Sequence, residues 1–242
     1  MLNVLIPMGG KSLFFDRQEY FFPKPLIEIN DRMMIEWVIG AYREIRQPVQ
    51  YLFVINAEDA ARFHLDNILR LIAGKDAIVV EQPGDTMGAL CSSLLTVDHI
   101  DNDTPLIIAN SDQVIDVDYN AVLADFARQD ADAGTIVFKS FHPQWSYALI
   151  EDGQIVETAE KKPISSDAIA GTYYFRRGRD FAEAAKRVIL KDARVHDRFF
   201  LSSSFNEMIL MGKKLVAHRV DPSAYHSFYS PCLLYTSDAA DE

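Results

Sequence analysis

Lys24 stands between Pro23 and Pro25 in "FPKPL", a setting that a solvated lysine does not need. Proline fixes its own φ and restricts the residue before it, so Phe22 and Lys24 are expected to be extended and to present one ammonium from a stiff loop. A compact charge held that way suits a phosphate group, although a surface lysine in a proline-bounded loop reads the same. Asp112 in "NSDQ" directly follows the apolar run "PLIIA". A carboxylate at that position suits Mg²⁺, which takes one or two carboxylates and completes its shell with water and substrate phosphates. A loop aspartate capping the next helix is the alternative, for which Asp118 in "DVDYNAVL" is better placed. Asp116 is a second candidate ligand without specific spacing.

Gly9 and Gly10 follow the first apolar run, "NVLIP", where glycines permit a tight turn and let backbone N–H groups approach phosphate oxygens. Ordinary turn chemistry gives the same pair. In "EQPGDTMGAL", Gln82 carries an amide able to make two hydrogen bonds with a base edge, and Gly88 permits close backbone approach. The stretch "ETAEKKPISSDAIAGTYYF" brings Glu160, Lys161 and Lys162 to a strand end, with Gly171 beyond. A carboxylate beside lysines suits the hydroxyls and phosphate of a sugar phosphate, and equally a solvated charge cluster. The six histidines show neither HxxxH nor HExxH spacing, which argues against zinc. Ser202, Ser203 and Ser204 lack a nucleophile-elbow frame and read as a helix cap.

These residues need a scaffold that gathers them. Strand-length apolar runs ("NVLIP", "QYLFVIN", "DAIVVEQ", "PLIIAN", "AGTIVFKS") alternate with helical-period segments such as "MMIEWVIGAYREI", "DAARFHLDNILRLIA", "MGALCSSLLTV" and "DYNAVLADFARQ". The pattern predicts a mostly parallel, doubly wound α/β sheet covered on both faces, a three-layer α/β/α arrangement. In such sheets ligands collect at the carboxyl ends of the strands, which is where the candidate residues stand. A hairpin turning at Asp152-Gly153, a further strand "AIAGTYYFRR", helices "GRDFAEAAKRVIL" and "SSSFNEMILMG", and a strand "KLVAHRV" follow. No Pro/Gly/Ser-rich linker divides the chain, so one domain over about residues 1–230 is expected.

The bulk numbers set limits. With 49% apolar residues in 242, a buried core is readily built. A formal net charge of -11, from 24 Lys+Arg against 35 Asp+Glu, disfavours nucleic acid or an anionic membrane as a broad partner. No apolar run reaches the roughly 18 residues of a spanning helix. No signal peptide is evident, and a cytoplasmic location is expected. Residues 232–242, "CLLYTSDAADE", break every earlier pattern and resemble a translated adapter rather than a native end.

The order of the motifs is more specific than any one of them: an apolar strand, "GG", "PKPLIEI", "MIEWVI", then "EQPGDTMGA", "IIANSD", "EKKP" and "GTYYF". Together, over about residues 2–230, they resemble the sugar-phosphate nucleotidyltransferases, or nucleoside-diphosphate-sugar pyrophosphorylases, of the small bacterial capsule and surface-polysaccharide type. The resemblance implies a Rossmann-like, glycosyltransferase A-type fold and a Mg²⁺-dependent reaction. In it, a sugar phosphate attacks the α-phosphorus of a nucleoside triphosphate and pyrophosphate is released. It implies Gly9, Gly10 and Lys11 beneath the nucleotide, Gln82 and Gly88 bounding the base, and Lys24 on the phosphates. Asp112 would hold the metal, and Glu160, Lys161 or Lys162, and Gly171 would face the acceptor. Homo-oligomers are compatible with it.

The chain departs from the family pattern at three places. The loop usually reads Gly-x-Gly-Thr/Ser-Arg, but Ser12, Leu13 and Phe14 occupy the aligned positions, so the arginine that neutralises the leaving pyrophosphate is missing. Loss of one donor to developing charge costs about 10²- to 10³-fold; Lys11 or Arg17 is the expected substitute. The family's "GTA" is replaced by Asp85-Thr86-Met87, and "AYHSFYSP" supplies no second metal-binding aspartate. Two other readings follow from these losses: a glycosyltransferase of the same fold using an activated sugar, and a binding module without turnover.

Overall fold

The computed structural model describes residues 1–10 and 20–228, and every structural statement below concerns those residues. The strands are β1 (Leu2–Pro7), β2 (Glu28–Ile29), β3 (Arg32–Met33), β4 (Val49–Asn56), β5 (Ile78–Gln82), β6 (Leu106–Ala109), β7 (Gln113–Ile115), β8 (Ala133–Lys139), β9 (Ser146–Glu151), β10 (Gln154–Glu160), β11 (Asp167–Phe175), β12 (Leu215–Arg219) and β13 (Tyr225–Ser227). The helices are α1 (Met34–Arg43), α2 (Ala57–Phe63), α3 (Leu65–Ala73), α4 (Ala89–Leu94), α5 (Val97–Ile100), α6 (Tyr119–Arg128), α7 (Gly178–Leu190) and α8 (Ser202–Leu210). No helix is long and apolar enough to cross a membrane.

Strands β5, β4, β1 and β6 pair in parallel in that order, and β11 then joins β6 antiparallel. Beyond β11 lie β8, antiparallel to it, and β12, parallel to β8. The expected mostly parallel α/β sheet is therefore present, with β11 and β10 running against the other strands. Alternation along the strands divides the core into two layers, as a sheet covered on both faces requires. Leu2, Val4, Ile6, Phe53 and Ile55 face α1, α3 and α6, while Leu5, Leu52, Val54 and Ile108 face α4, α7 and α8. Full burial of each such side chain is worth about 1.5–3 kcal/mol.

The predicted hairpin is β9–β10, with Asp152 (φ 48°) and Gly153 (φ 78°) in the left-handed turn that suits two twisted strands. One predicted helix is broken. The periodic run from residue 59 to 73 is divided between α2 and α3, because His64 enters the left-handed region (φ 53°) and closes the first while opening the second. The short pairings of β13 with β7 and of β2 with β3 had no periodic signal in the sequence. Asp118 caps α6 as expected, accepting from the Asn120 N–H at 2.8 Å.

Candidate functional site

At the carboxyl end of the parallel strands, Lys24 and Asp112 meet although 88 positions separate them. Pro25 and Leu26 are buried in the short turn that carries Lys24, so the loop is anchored beside its cation. Asp112 lies just past β6, and its carbonyl accepts from the Phe228 N–H at 2.7 Å. The Lys24 ammonium donates to Asp112 Oδ2 at 2.6 Å, with the two side chains 14% and 21% exposed. A pair so little exposed keeps its charges fixed while leaving one edge open to a ligand. Asp116 is not part of this site. It follows β7 on a separate cavity lined by Trp37, Asp118 and Phe228, so it does not join Asp112 as a ligand.

On one flank stands the Gly9–Gly10 turn. Gly9 is buried, and a Cβ there would lie 2.9 Å from Gln82 Oε1, so a side chain at this position would have to displace the Gln82 amide. Gly10 is exposed, and a Cβ on it would meet no described atom within 4 Å. Gln82 is 1% exposed and already engaged. Its Nε2 donates to the Gly84 carbonyl at 2.5 Å and to that of Gly9 at 3.4 Å, while its Oε1 accepts from Ser92 Oγ at 2.9 Å. Ser92 is in turn bonded to Thr86 Oγ1 at 2.7 Å. The amide expected to read a base edge instead ties three segments together. The close approach expected at Gly88 (φ 124°) is made by the chain itself: a Cβ would overlap the Phe199 carbonyl oxygen. Lys11, Ser12, Leu13, Phe14 and the C-terminal stretch 232–242 lie outside the described residues.

On the other flank is a cavity of about 250 Å³, whose wall includes Asp112, Trp145, Glu160, Lys161, Gly171 and Tyr225. Glu160 ends β10, and its Oε2 accepts from Ser202 Oγ at 3.0 Å and from Ser146 Oγ. Burial pushes its carboxyl up, against the downward pull of the two serines, Lys161 and His196. The three serines are the first residues of α8 and do not cap it: its N-cap is Leu201, and Ser202 is turned to Glu160. Sequence alone gave no sign of this, because Ser202 and Glu160 are 42 positions apart.

The two lysines of "EKKP" differ in position. Lys161 takes a left-handed backbone (φ 54°), donates its N–H to the Trp145 carbonyl at 2.9 Å and sets its ammonium 5.5 Å from the Phe200 ring centroid, in the cavity wall. Lys162 is exposed and outside the residues lining that cavity. Gly171 (φ 64°) sits in the bulge of β11 between Ile169 and Tyr173. A Cβ there would overlap Asn110 Nδ2 and lie 2.5 Å from Gln113 Oε1. Gln113 bonds Asn110, the Ala170 carbonyl and the Tyr225 hydroxyl, so one glycine makes room for the floor of the cavity.

The site thus joins a lysine–aspartate pair to a cavity that carries a second carboxylate, Glu160. Residues 20–220 match the sequence model of the family described as nucleotidyl transferase. The chain belongs to that family. Among solved structures, this nucleotidyl transferase is similar to a nucleoside-diphosphate-sugar pyrophosphorylase from Vibrio cholerae RC9, with a TM-score of 0.80 at 21% identity over 97% of this chain and 98% of that one. It is also similar to a Bacillus anthracis protein named as a glucose-1-phosphate thymidylyltransferase (0.76, 17%, covering 99% and 95%). The inositol-1-phosphate CTP transferase of T. maritima is a third (0.76, 13%, covering 98% and 93%). At these identities the likeness establishes the fold. No cluster of three or more metal-ligating side chains occurs among the described residues. Asp112 is the carboxylate at the site, which suits a magnesium ion that draws its remaining ligands from water and phosphates.

Proposed function

We propose that the protein transfers a nucleoside monophosphate from a nucleoside triphosphate to the phosphate of a sugar phosphate or related monoester, releasing pyrophosphate. The Lys24–Asp112 pair is the observation that carries this reading. A fixed cation beside a carboxylate that lines the cavity supports a reading in which a triphosphate lies over the Gly9–Gly10 turn and the acceptor fills the cavity.

In the proposed reaction an oxygen of the acceptor phosphate forms a bond to the α-phosphorus while the bond to the β-phosphate oxygen breaks. The protein's part is positioning and charge stabilisation. Lys24 offsets negative charge developing on the phosphates, and Asp112 keeps its ammonium in place. Lys161 draws the acceptor phosphate to the cavity mouth, and Glu160, oriented by Ser146 and Ser202, takes the body of the acceptor. Asp112 would hold a magnesium ion, which would supply positive charge to offset that of the phosphates. The motif order supports a place in cytoplasmic synthesis of surface-polysaccharide precursors.

The test is pyrophosphate release by purified protein with Mg²⁺, each nucleoside triphosphate and a panel of phosphomonoesters. Lys24→Ala and Asp112→Asn are each expected to slow turnover by about 10²- to 10³-fold with the fold intact by circular dichroism. Wild-type rates in both folded variants would sink the assignment. Transfer from a nucleotide sugar without pyrophosphate release would indicate a glycosyltransferase instead.

A further inference from the structure

Resting on the proposed reaction, in which Lys161 meets the acceptor phosphate, a role follows for the ring beside that lysine. The two lysines of the site are held differently. Lys24 is bound by the Asp112 carboxylate at 2.6 Å, whereas the Lys161 ammonium stands 5.5 Å from the centroid of the Phe200 ring and forms no ion pair among the described residues. The Lys161 backbone is fixed by its left-handed φ of 54° and by the N–H donated to the Trp145 carbonyl. A long, flexible stem nevertheless separates that anchor from the charge.

Phe200 is placed by the scaffold and not by the lysine. On one side, Phe199 is buried, donates its N–H to the Met87 carbonyl at 2.7 Å and accepts from the Leu90 N–H at 3.4 Å, which pins it to the loop between β5 and α4. On the other, the Phe200 carbonyl accepts from the Ser203 N–H at 3.2 Å, Leu201 is buried, and Ser202 Oγ donates to Glu160 Oε2. The ring therefore stands at a set point in the cavity wall, half-buried beside an exposed lysine. A ring face attracts an ammonium through its quadrupole and carries no net charge. It orders the lysine side chain, which lowers the entropy lost on binding, and leaves the whole charge for an incoming phosphate. A carboxylate in the same place would order the side chain too, but would offset part of its charge.

We infer that Phe200 is a positioning residue: its ring face keeps the Lys161 ammonium at the cavity mouth, where it receives the phosphate of the acceptor. The ring acts through Lys161 and takes no part in the transfer itself.

Graded fluorination of the ring tests this, because fluorine drains electron density from the ring face while changing its size little. In the full chain, the phenylalanine at position 200 is replaced by its mono-, di- and trifluoro forms, with Phe200→Leu as the variant lacking a ring and Phe200→Tyr as the conservative one. Circular dichroism checks the fold of each. Binding of inorganic phosphate is read by calorimetry, and acceptor KM and kcat by pyrophosphate release with whichever phosphomonoester turns over. The phosphate Kd and the acceptor KM are expected to rise stepwise along the series, reaching about three- to tenfold at the trifluoro form and in Phe200→Leu. A kcat changed by about twofold or less, and a Phe200→Tyr close to wild type, complete the expected result. In a Lys161→Met background the same series should be flat. A flat series with Lys161 present, or a slope that persists in Lys161→Met, overturns the inference. A graded phosphate series without pyrophosphate from any acceptor upholds it and removes the proposed reaction; turnover with a flat series does the reverse.

Discussion

Replacing Gly171 by alanine tests the floor of the acceptor cavity directly. At φ 64° an alanine occupies the left-handed region, at a cost of about 1–2 kcal/mol. Its Cβ also invades the space of Asn110 Nδ2 and Gln113 Oε1, which must move. Gln113 is 6% exposed and bonded to Ala170 and Tyr225, and loss of a buried hydrogen bond there adds about 1–3 kcal/mol. Together these give about 2–5 kcal/mol, a large part of the roughly 5–15 kcal/mol that holds a domain folded. For a chain of this length the midpoint of thermal unfolding should fall by roughly 10 °C. Urea unfolding of wild type, Gly171→Ala and the control Gly10→Ala measures the difference. The control is expected to lie within about 0.5 kcal/mol of wild type, since its new methyl meets no described atom. A loss below about 1 kcal/mol in Gly171→Ala, with unchanged acceptor KM, would refute the claim that glycine is needed at this bulge.

Other consequences are open to measurement. Because burial raises the Glu160 carboxyl pKa in the folded chain, its ionisation disfavours folding as pH climbs from the unfolded value through the folded one. Glu160→Gln should therefore gain stability over wild type at pH 7, and the gain should vanish below about pH 4 in denaturation curves taken across pH. Asp167 behaves oppositely: burial pushes its carboxyl up, but Arg219 and Lys139 more than reverse this and hold it below the ordinary value. Its contribution is present above about pH 4 and lost as pH falls through the depressed value, so Asp167→Asn should flatten the acid limb of the stability profile. Thr158 Oγ1 donates to the Ser202 carbonyl at 2.7 Å, tying β10 to α8. Thr158→Val should cost about 1–3 kcal/mol in urea unfolding and raise the acceptor KM more than it lowers kcat.

The layered sheet was legible because its strands are apolar on both faces and its helices are amphipathic, both local properties of the chain. Asp152-Gly153 announced a hairpin for the same reason. Lys24 and Asp112 were each identifiable from their neighbours, a proline pair and a strand end, but their contact joins positions 88 residues apart and exists only in the folded chain. Gln82 and Gly88 were read as facing a ligand, whereas Ser92 and Phe199 come from elsewhere in the chain to meet them. Trp145, Phe200 and Tyr225 stand on three separate segments, with no spacing to link them before the chain folds. His64 broke a helix whose apolar period continues through it, since periodicity reports the face a helix buries and is blind to a single left-handed residue.

The sheet forks at β11, whose lower half meets β9 through the single pair Ala168 and Tyr147 and whose upper half meets β6. Trp145, Ser146, Glu160 and Lys161 all belong to the β9–β10 branch or its immediate flanks, while Asp112 and the diglycine turn belong to the trunk. On the proposed reaction, exchanging this branch, together with the α8 serine bonded to Glu160, should alter which acceptor is received and leave the triphosphate side unchanged. Swapped hairpins between relatives should consequently transplant acceptor choice as a unit, and a lineage could acquire a new product without rebuilding its catalytic pair.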